Sequence, residues 1–375
     1  MDSSHPSPPP ATSTAPRPGF RATRPGGQSF PPMMRAYTEV ADEIRRRGLL
    51  DRAYRFYALV GAGLLLGFAG CLAGFLLLGP SWLQLLIAGA LGLVLTQTAF
   101  LAHEAAHKQV LAAGPANERL ARALACGVVG ISYSWWTTKH NRHHANPNQI
   151  GRDPDIEVDT ISFVEQDAAS ATGLRRLITR RQGWLFFPLL TLEGLNLHRH
   201  GFQHLFGRQH VKARRIELAL VAARFAAFWT PVFVLLPVGM AFAFLGVQLA
   251  VFGVYMGASF APNHKGMPIV ARDAKLDFFS KQVRTSRNVA GGWWATWLMG
   301  GLNYQVEHHL FPSMPRPHLS RARTIVREHC RSVDVPYTET SLWRSYAIVV
   351  RYLNEVGLAA RDPFECPVTA RYRPA

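Results

Sequence analysis

Two long stretches of this 375-residue sequence contain no lysine or arginine, although the chain carries 41 of these residues. The first lies between Arg55 and Lys108, and the second lies between Arg224 and Lys265. Two apolar runs lie in the first stretch and two lie along the second, where the earlier run begins at Leu218 and includes Arg224 near its start. A helix needs roughly 20 apolar residues to cross a hydrocarbon core. The sequence therefore predicts four membrane-spanning helices, at about residues 56–78, 82–102, 218–236 and 238–261.

The distribution of basic residues predicts how these helices are oriented. Lysine and arginine number 9 up to Arg55, 15 from Lys108 to Arg215 and 16 from Lys265 onward, and the two short turns carry none. By the positive-inside rule, both termini and the middle segment lie in the cytoplasm. We predict an all-α integral membrane protein with four transmembrane helices in two hairpins and a cytoplasmic helical cap. A soluble protein with one buried hairpin is the alternative, which four such stretches disfavour.

The remaining composition supports a membrane protein. The formal net charge is +17, but the basic residues flank the apolar runs, so nucleic acid is not the predicted partner. Residues 1–34 are rich in Pro, Ser and Arg, which predicts a disordered tail before a membrane domain at 35–375. Two apolar segments, starting at Gly183 and Gly291, are too short or too polar to span and are predicted to lie at the membrane interface.

Eight of the 15 histidines lie at the ends of apolar stretches. Seven of them form three clusters, which are His103 and His107 in HEAAH, His140, His143 and His144 in HNRHH, and His308 and His309 in QVEHH, and His264 stands alone in APNHKG. Spacings of three and four residues place rings on one face of a helix. Imidazole binds zinc, copper, iron and nickel, and eight ligands exceed the four of a closed zinc site. Two metal ions are therefore predicted, with iron suited to dioxygen chemistry at a membrane.

The clusters HEAAH, HNRHH and QVEHHLFP together resemble the three histidine boxes of membrane fatty acyl desaturases. The segment NHKGMP resembles a further ligand segment of the front-end and related acyl-lipid or acyl-CoA branch. The resemblance extends from about Ala36 to about Gly357. It implies two iron ions held by the eight histidines, the use of dioxygen, and introduction of a cis double bond into an acyl chain. Gln305 departs from the histidine of the stearoyl-CoA branch and is expected to support a ligand or to bind iron weakly.

Other polar and aromatic residues near the boxes are candidates for supporting roles. Carboxylates and amides can orient the N–H groups of metal-bound histidines, and the candidates here are Glu104, Asp153, Asp155, Asn263 and Glu307. A solvated or ion-paired role remains open for each acid, and Asp153 and Asp155 follow the second box most closely. His198 matches a family position but is interpreted mainly as interfacial. An acyl tunnel and interfacial anchoring are both open for Trp135, Trp136, Trp293 and Trp294.

The sequence shows no electron source of its own. The four cysteines have no cluster spacing, and the His-Pro-Gly-Gly string of fused cytochrome b5 domains is absent. The expected donor is a ferredoxin, a ferredoxin-reductase-like protein or a free cytochrome b5, alongside acyl substrate and membrane lipid as the other partners. The predominance of arginine over lysine, with much alanine and glycine, favours a bacterial plasma membrane.

Two alternative functions stay open at this point. A hydroxylase or ketolase could use the same scaffold, because the same oxidant can transfer oxygen to carbon. A membrane metal transporter would need ligands within the spans, whereas these histidines lie at the ends of the spans.

Overall fold

The structure is a computed structural model that describes residues 32–360. Its α-helices are α1 Pro32–Arg46, α2 Tyr54–Leu78, α3 Gln84–Ala106, α4 Gly114–Arg122, α5 Tyr133–Ala145, α6 Glu165–Ala169, α7 Gly173–Thr179, α8 Gln182–Leu190, α9 Glu193–Phe206, α10 Arg214–Leu235, α11 Val238–His264, α12 Phe278–Arg284, α13 Gly292–Leu298, α14 Gln305–Leu310, α15 Arg316–Ser332 and α16 Leu342–Leu358. A π-helix over Ala123–Val129 and a 3-10 turn over Leu302–Tyr304 precede α5 and α14 respectively. The predicted tail, residues 1–34, lies outside the described residues except for its last three positions, where α1 begins.

Four of these helices are long and apolar enough to cross a membrane. They are α2, α3, α10 and α11, and the mean hydropathy of their apolar windows is between 1.9 and 2.1. Their bounds agree with the predicted spans to within four residues, and the largest differences are at the end of α3 and the start of α10. The predicted number and position of the apolar helices are therefore confirmed.

Helices α3 and α11 form the inner pair of this apolar region. About half of the apolar window of α3 and a third of that of α11 is buried, against 11% for α2 and for α10. The inner helices approach closely at Gly92, where an added Cβ atom would lie 2.9 Å from the carbonyl oxygen of Gln248. Both inner helices end in histidine-bearing segments, so their close packing fixes the distance between these segments.

The short connection between α2 and α3 is held by a buried amide. Gln84 donates from Nε2 to the carbonyl oxygens of Phe75, at 2.7 Å, and Gly79, at 2.9 Å. These carbonyls lie at the C-terminus of α2, where a helix lacks intrahelical partners for its last C=O groups. Gly79 adopts a φ of 55°, a left-handed conformation that favours glycine.

The helix that carries the second histidine cluster, α5, is anchored at its N-terminus. Ser132 accepts a hydrogen bond from the Trp135 backbone N–H at 3.2 Å, as an N-cap residue does. The buried carboxylate of Glu217 in α10 accepts from the Ser134 N–H and from the Ser132 hydroxyl. The helix ends at Ala145, immediately before the Asn-Pro pair, because proline disfavours the helical conformation of the residue preceding it.

The fold contains a feature that an all-helical prediction lacks. Strands β1 Arg287–Ala290 and β2 Thr338–Ser341 form a two-stranded parallel sheet, with Arg287 opposite Thr338. Each strand has four residues, too few for a period-two pattern to be recognised in the sequence. The all-α prediction is thus corrected to a mostly helical fold with one small sheet, which lies beside α14 and its histidines.

Candidate metal centre

The eight predicted histidines converge on two adjacent places at the ends of the inner apolar helices. The five-ring group consists of His103, His107, His140, His144 and His308, and the three-ring group consists of His143, His264 and His309. Within each group the ligand atoms lie within 4.8 Å of one another. The centroids of His144 and His309 are 4.2 Å apart with nearly parallel rings, so the two groups are in contact.

Neighbouring histidines of one helix join different groups. His143 and His144 are adjacent on α5, and His308 and His309 are adjacent on α14, yet each pair is divided between the groups. Consecutive helical residues point in directions about 100° apart, whereas residues four apart share a face. His140 and His144 therefore face the five-ring group together. By the same rule, Gln305 and His309 face the three-ring group together.

Imidazole nitrogens face one another in the five-ring group. The Nε2 atom of His140 lies 3.1 Å from Nε2 of His103 and 2.8 Å from Nε2 of His107. The buried nitrogens of His144 and Nε2 of His308 have no hydrogen-bond partner among the described residues. Unpartnered buried nitrogens are costly unless something binds them. Their convergence fits a metal ion.

The three-ring group is enclosed by protein, and its rings are oriented from behind. Nδ1 of His143 lies 3.0 Å from a carboxylate oxygen of Asp153, and Nδ1 of His264 lies 2.9 Å from the carbonyl oxygen of Thr285. Nδ1 of His309 lies 2.8 Å from Oε1 of Gln282. A carbonyl oxygen or an ionised carboxylate can only accept a hydrogen bond. The rings therefore carry their protons on Nδ1, and their Nε2 lone pairs point toward a common centre.

Two amides complete the surroundings of the three-ring group. Gln305 places its side-chain amide 2.8 Å from Nε2 of His264, and Asn263 donates to Oε1 of Gln305 at 3.0 Å. Gln305 thus stands where a further ring of this group would stand. The prediction that Gln305 and Asn263 lie beside the ligands agrees with this geometry.

The protonation of the rings suits metal binding. Burial lowers the pKa of His107 to about 4, and burial with neighbouring imidazoles lowers the pKa of His140, His144, His308 and His309 well below its usual value. Metal ligation requires neutral imidazole. Burial also acts to lower the pKa of His143, but the Asp153 and Asp155 carboxylates outweigh it and raise this pKa. The two groups therefore differ in local charge.

Asp153 is the acid that acts on a ligand ring directly. Its side chain is fully buried and also accepts from the backbone N–H groups of Asn148, at 2.7 Å, and Asp155, at 2.9 Å. Asp155 lies farther from His143, at 3.4 Å, and forms an ion pair with Lys139 at 2.7 Å. Asp153 therefore lies where a carboxylate can orient the His143 ring, and Asp155 is the more distant of the two acids.

The other predicted acids face away from the rings. Glu104 pairs with Arg316 through two hydrogen bonds of 2.7 and 2.5 Å, and it also accepts from the Tyr57 hydroxyl. Glu307 accepts from Asn288 at 2.7 Å and from Tyr337 at 2.8 Å. The expectation that Glu104 and Glu307 orient ring N–H groups does not match these contacts, because each is adjacent in sequence to a ligand and so faces another side of its helix.

Of the four tryptophans considered for an acyl tunnel, Trp136 lies nearest the rings. It stacks on His140, with centroids 4.3 Å apart. Trp135 stacks instead on His200, while Trp293 and Trp294 are 83% and 41% exposed. The exposed pair belongs to the short helix α13, and these surface positions favour interfacial anchoring over an acyl tunnel for the two residues.

His198 lies outside both groups. Its Nδ1 atom is 2.6 Å from the carbonyl oxygen of Gly194, one turn earlier in α9, and Nε2 faces Gly130. Burial lowers the pKa of His198. These contacts favour a role of His198 in packing within the protein over a role as a metal ligand.

A cavity of about 810 Å³ reaches the five-ring group from the protein surface. Its lining includes the rings of His107, His140 and Trp136, and polar residues such as Lys108 and Lys212. The histidines of the three-ring group do not contribute to this lining. Access through this cavity therefore leads to the five-ring group and not to the three-ring group.

Two residues behind the rings were not predicted from the sequence. Gln282 lies in α12 and acts through its side-chain amide, and Thr285 follows that helix and acts through its carbonyl group. A backbone carbonyl leaves no mark in a sequence. Gln282 stands between Lys281 and Val283 in FFSKQVR, where a polar residue gives no signal of its own.

Comparison with known proteins gives consistent matches. A family model described as fatty acid desaturase matches residues 80–341, a range that includes all eight of these histidines. The chain is 30% identical to Delta(8)-fatty-acid desaturase 2 of Arabidopsis thaliana, covering 88% of this chain and 76% of that protein. It is 28% identical to the acyl-lipid (9-3)-desaturase of Borago officinalis, in a match that covers 79% of this chain and 64% of that protein. It is 27% identical to the Delta(6)-fatty-acid desaturase fat-3 of Caenorhabditis elegans, in a match that covers 71% of this chain and 63% of that protein.

Proposed function

The chain belongs to the fatty acid desaturase family, and on this premise we propose that it is a di-iron, dioxygen-dependent acyl desaturase that introduces a cis double bond. Family membership and the four apolar helices make it a membrane protein and an oxidoreductase of fatty acid metabolism. The observation that carries the proposal is the pair of contacting imidazole groups, in which Nε2 of His308, Nε2 of His309 and both nitrogens of His144 have no hydrogen-bond partner among the described residues.

We assign one iron ion to each group of rings. The five-ring group offers imidazoles only, and the three-ring group offers imidazoles with the amide of Gln305 beside them. Bound iron would supply the dioxygen-dependent oxidation that removes two hydrogen atoms from the acyl chain. The protein's own contribution is to favour the neutral form of most of the rings by burying them, to direct the Nε2 lone pairs of the three-ring group inward and to exclude water from that group.

The cavity next to the five-ring group is the proposed route of the acyl substrate. Trp136 lies on His140 and lines the cavity, which offers an apolar surface directly beside a ligand ring. Polar and charged residues such as Lys108 and Lys212 also line it, and they suit the polar carrier of an acyl chain. The carrier is proposed to be coenzyme A or a glycerolipid, and the names of the relatives include acyl-lipid desaturation.

The proposed arrangement in the membrane follows the charge distribution. The two short connections, at Gly79–Ser81 and Pro237, carry no basic residue, whereas the segments that hold the histidines carry many. We propose two hairpins, with both termini and the cap on the cytoplasmic side, and one catalytic domain over 35–375. The reported relatives are eukaryotic, so a bacterial plasma membrane is proposed from composition alone.

The electrons are proposed to come from a separate protein, a ferredoxin, a ferredoxin-reductase-like protein or cytochrome b5. The net charge of +17 resides largely in the segments assigned to the cytoplasm. Long-range attraction to an acidic donor would speed docking and would weaken with salt, because the Debye length is roughly 10 Å at 0.1 M. A donor-dependent rate that falls as salt rises is the expected result.

Fatty-acid profiling of cells that express the chain tests this function. Cells with the wild-type chain should accumulate fatty acids with one additional double bond, and cells with His144→Ala should not. The purified wild-type protein should contain about two iron ions per chain, as two groups of nitrogen ligands predict. Hydroxylated or keto acids in place of new double bonds, or full desaturation by His144→Ala, would overturn the proposal.

A further inference from the structure

The segment that runs from α12 into β1, residues 278–290, lies behind the three-ring group and contributes no ligand to it. We propose that Gln282, in the last turns of α12, is a positioning residue that fixes the His309 ring for metal binding. The inference rests on the proposed function, because it concerns the iron assigned to the three-ring group. Gln282 has no exposed surface, and it lies 27 residues before the ring it contacts.

Both halves of the Gln282 amide are engaged. Its Nε2 donates to the carbonyl oxygen of His144 at 2.9 Å, and its Oε1 lies 2.8 Å from Nδ1 of His309. A carbonyl oxygen can only accept, so the NH₂ half of the amide must face His144. The oxygen half then faces His309, whose Nδ1 must carry the proton. Nε2 of His309 is left with its lone pair free, and it has no partner among the described residues.

Gln282 also links two histidine-bearing helices at the boundary between the groups. It touches the backbone of α5 at His144, a member of the five-ring group, and the ring of His309 on α14, a member of the three-ring group. These two rings are the stacked pair that connects the groups. Gln282 therefore determines both the rotation of one ring and its distance from the helix that carries the other.

The neighbouring contacts indicate that this is a dedicated orienting segment. Thr285 holds His264 through its carbonyl oxygen. The guanidinium of Arg287, which is 1% exposed, donates to the carbonyl oxygens of Pro262 and Lys265 at the end of α11. A cation is favourable at a helix C-terminus because of the helix dipole. Gln282 is thus the side chain of this segment that reaches a ligand ring directly, within the part of the chain that the structure describes.

Gln282 and Asp153 are counterparts with different charge. Each accepts a hydrogen bond from Nδ1 of a ring in the three-ring group, but Asp153 offers a carboxylate and Gln282 a neutral amide. Partners of this kind typically change metal affinity by roughly 10–100-fold when they are removed. The loss of Gln282 should therefore affect one of the two irons and leave the other in place.

The test compares Gln282→Leu with Gln182→Leu in the purified full-length chain. Gln182 is an equally buried amide whose Oε1 accepts from Ser162 and whose Nε2 donates to Leu353, far from any ligand ring. At limiting ⁵⁷Fe, Gln282→Leu should bind iron at the three-ring group roughly 10–100-fold more weakly. Its Mössbauer spectrum should lose or shift one component of two. Gln182→Leu should keep the wild-type spectrum even if its thermal stability falls.

The variant Gln282→Glu distinguishes the loss of the hydrogen bond that orients the His309 ring from a loss of side-chain packing. A carboxylate still accepts from Nδ1 of His309 but cannot donate to His144, so iron binding should recover relative to Gln282→Leu, with a shifted spectrum. A wild-type spectrum in Gln282→Leu, or the same spectral change in Gln182→Leu, would overturn the positioning role alone. A wild-type chain that binds no iron would overturn the proposed function, and this inference with it.

Discussion

The five-ring and three-ring groups reach a similar chemical result by different structural means. The five-ring group collects many imidazoles, and Nδ1 of His103 and of His144 has no hydrogen-bond partner among the described residues. In the three-ring group, each Nδ1 is held by Asp153, Thr285 or Gln282. A metal position can therefore be built from many loosely oriented rings or from fewer rings whose direction is fixed from behind.

The difference extends to the surroundings. The five-ring group borders the surface cavity through His107 and His140, whereas all three histidines of the other group are buried. The five-ring group is held by the packing of its helices, including the buried pair of Glu104 and Arg316 that joins α3 to α15. We expect the two groups to respond differently to the same kind of substitution.

The largest effect is expected from removing one ring of either group. His264→Ala leaves two rings in the three-ring group, while His107→Ala leaves four in the other. Both variants should lose desaturation, but His264→Ala should fall from about two irons to about one per chain, whereas His107→Ala should retain most of its iron. Iron analysis of the purified proteins, with activity measured in parallel, checks this. Equal iron loss in both variants would remove the distinction between the groups.

The next largest effect is expected at the buried ion pair between Glu104 and Arg316, beside the five-ring group. Glu104→Ala leaves the guanidinium of Arg316, which is 4% exposed, without its carboxylate partner. Breaking a buried ion pair in this way typically costs about 3–5 kcal/mol. Thermal unfolding in detergent should show this loss even in iron-free protein. The double variant Glu104→Leu with Arg316→Met should recover part of the stability. If Glu104→Ala does not destabilise the protein, the ion pair does not hold α3 to α15.

The sequence predicted one half of this comparison better than the other. All eight histidines were identifiable because their spacing and their place after apolar runs are visible in the chain, and Asp153 because it follows the second cluster closely. The sequence did not show that the adjacent residues His143 and His144 belong to different groups, because this depends on how α3, α5, α11 and α14 are arranged around two centres. Of the two roles left open for Glu104, the structure shows the ion pair, and its partner could not be identified from the sequence because Arg316 lies 212 residues away.

A smaller effect is expected when a ring of the three-ring group loses its charged support. Asp153→Asn keeps one oxygen that can accept from Nδ1 of His143, but it removes the negative charge behind the ring and turns an NH₂ group toward the backbone N–H of Asn148 or of Asp155. Iron affinity at this group should fall about tenfold, the lower end of the range for such partners. Competition with a chelator of known affinity measures it. Asp159→Asn, at an exposed acid paired with Arg199 on the surface, is the control and should behave as wild type.

The smallest effect is expected from making the two groups more alike. Gln305→His places an imidazole where the amide now lies 2.8 Å from Nε2 of His264, on the same helix face as His309. Glutamine and histidine reach a similar distance from the backbone, and the side chain is already buried, so folding and spanning helices should be unaffected. The added ring should tighten iron at the three-ring group by a few-fold, because imidazole is a better iron ligand than a neutral amide.

Chelator competition and Mössbauer spectra of Gln305→His and Gln305→Leu measure this effect. The histidine variant should give two iron components that are more similar than those of the wild type, and the leucine variant should make them less similar. Asn263 now donates to Gln305, and it can donate equally to an imidazole nitrogen only if that nitrogen carries no proton. If both variants bind iron as the wild type does, Gln305 has no contact with the metal, and the three-ring group is held by its oriented rings alone.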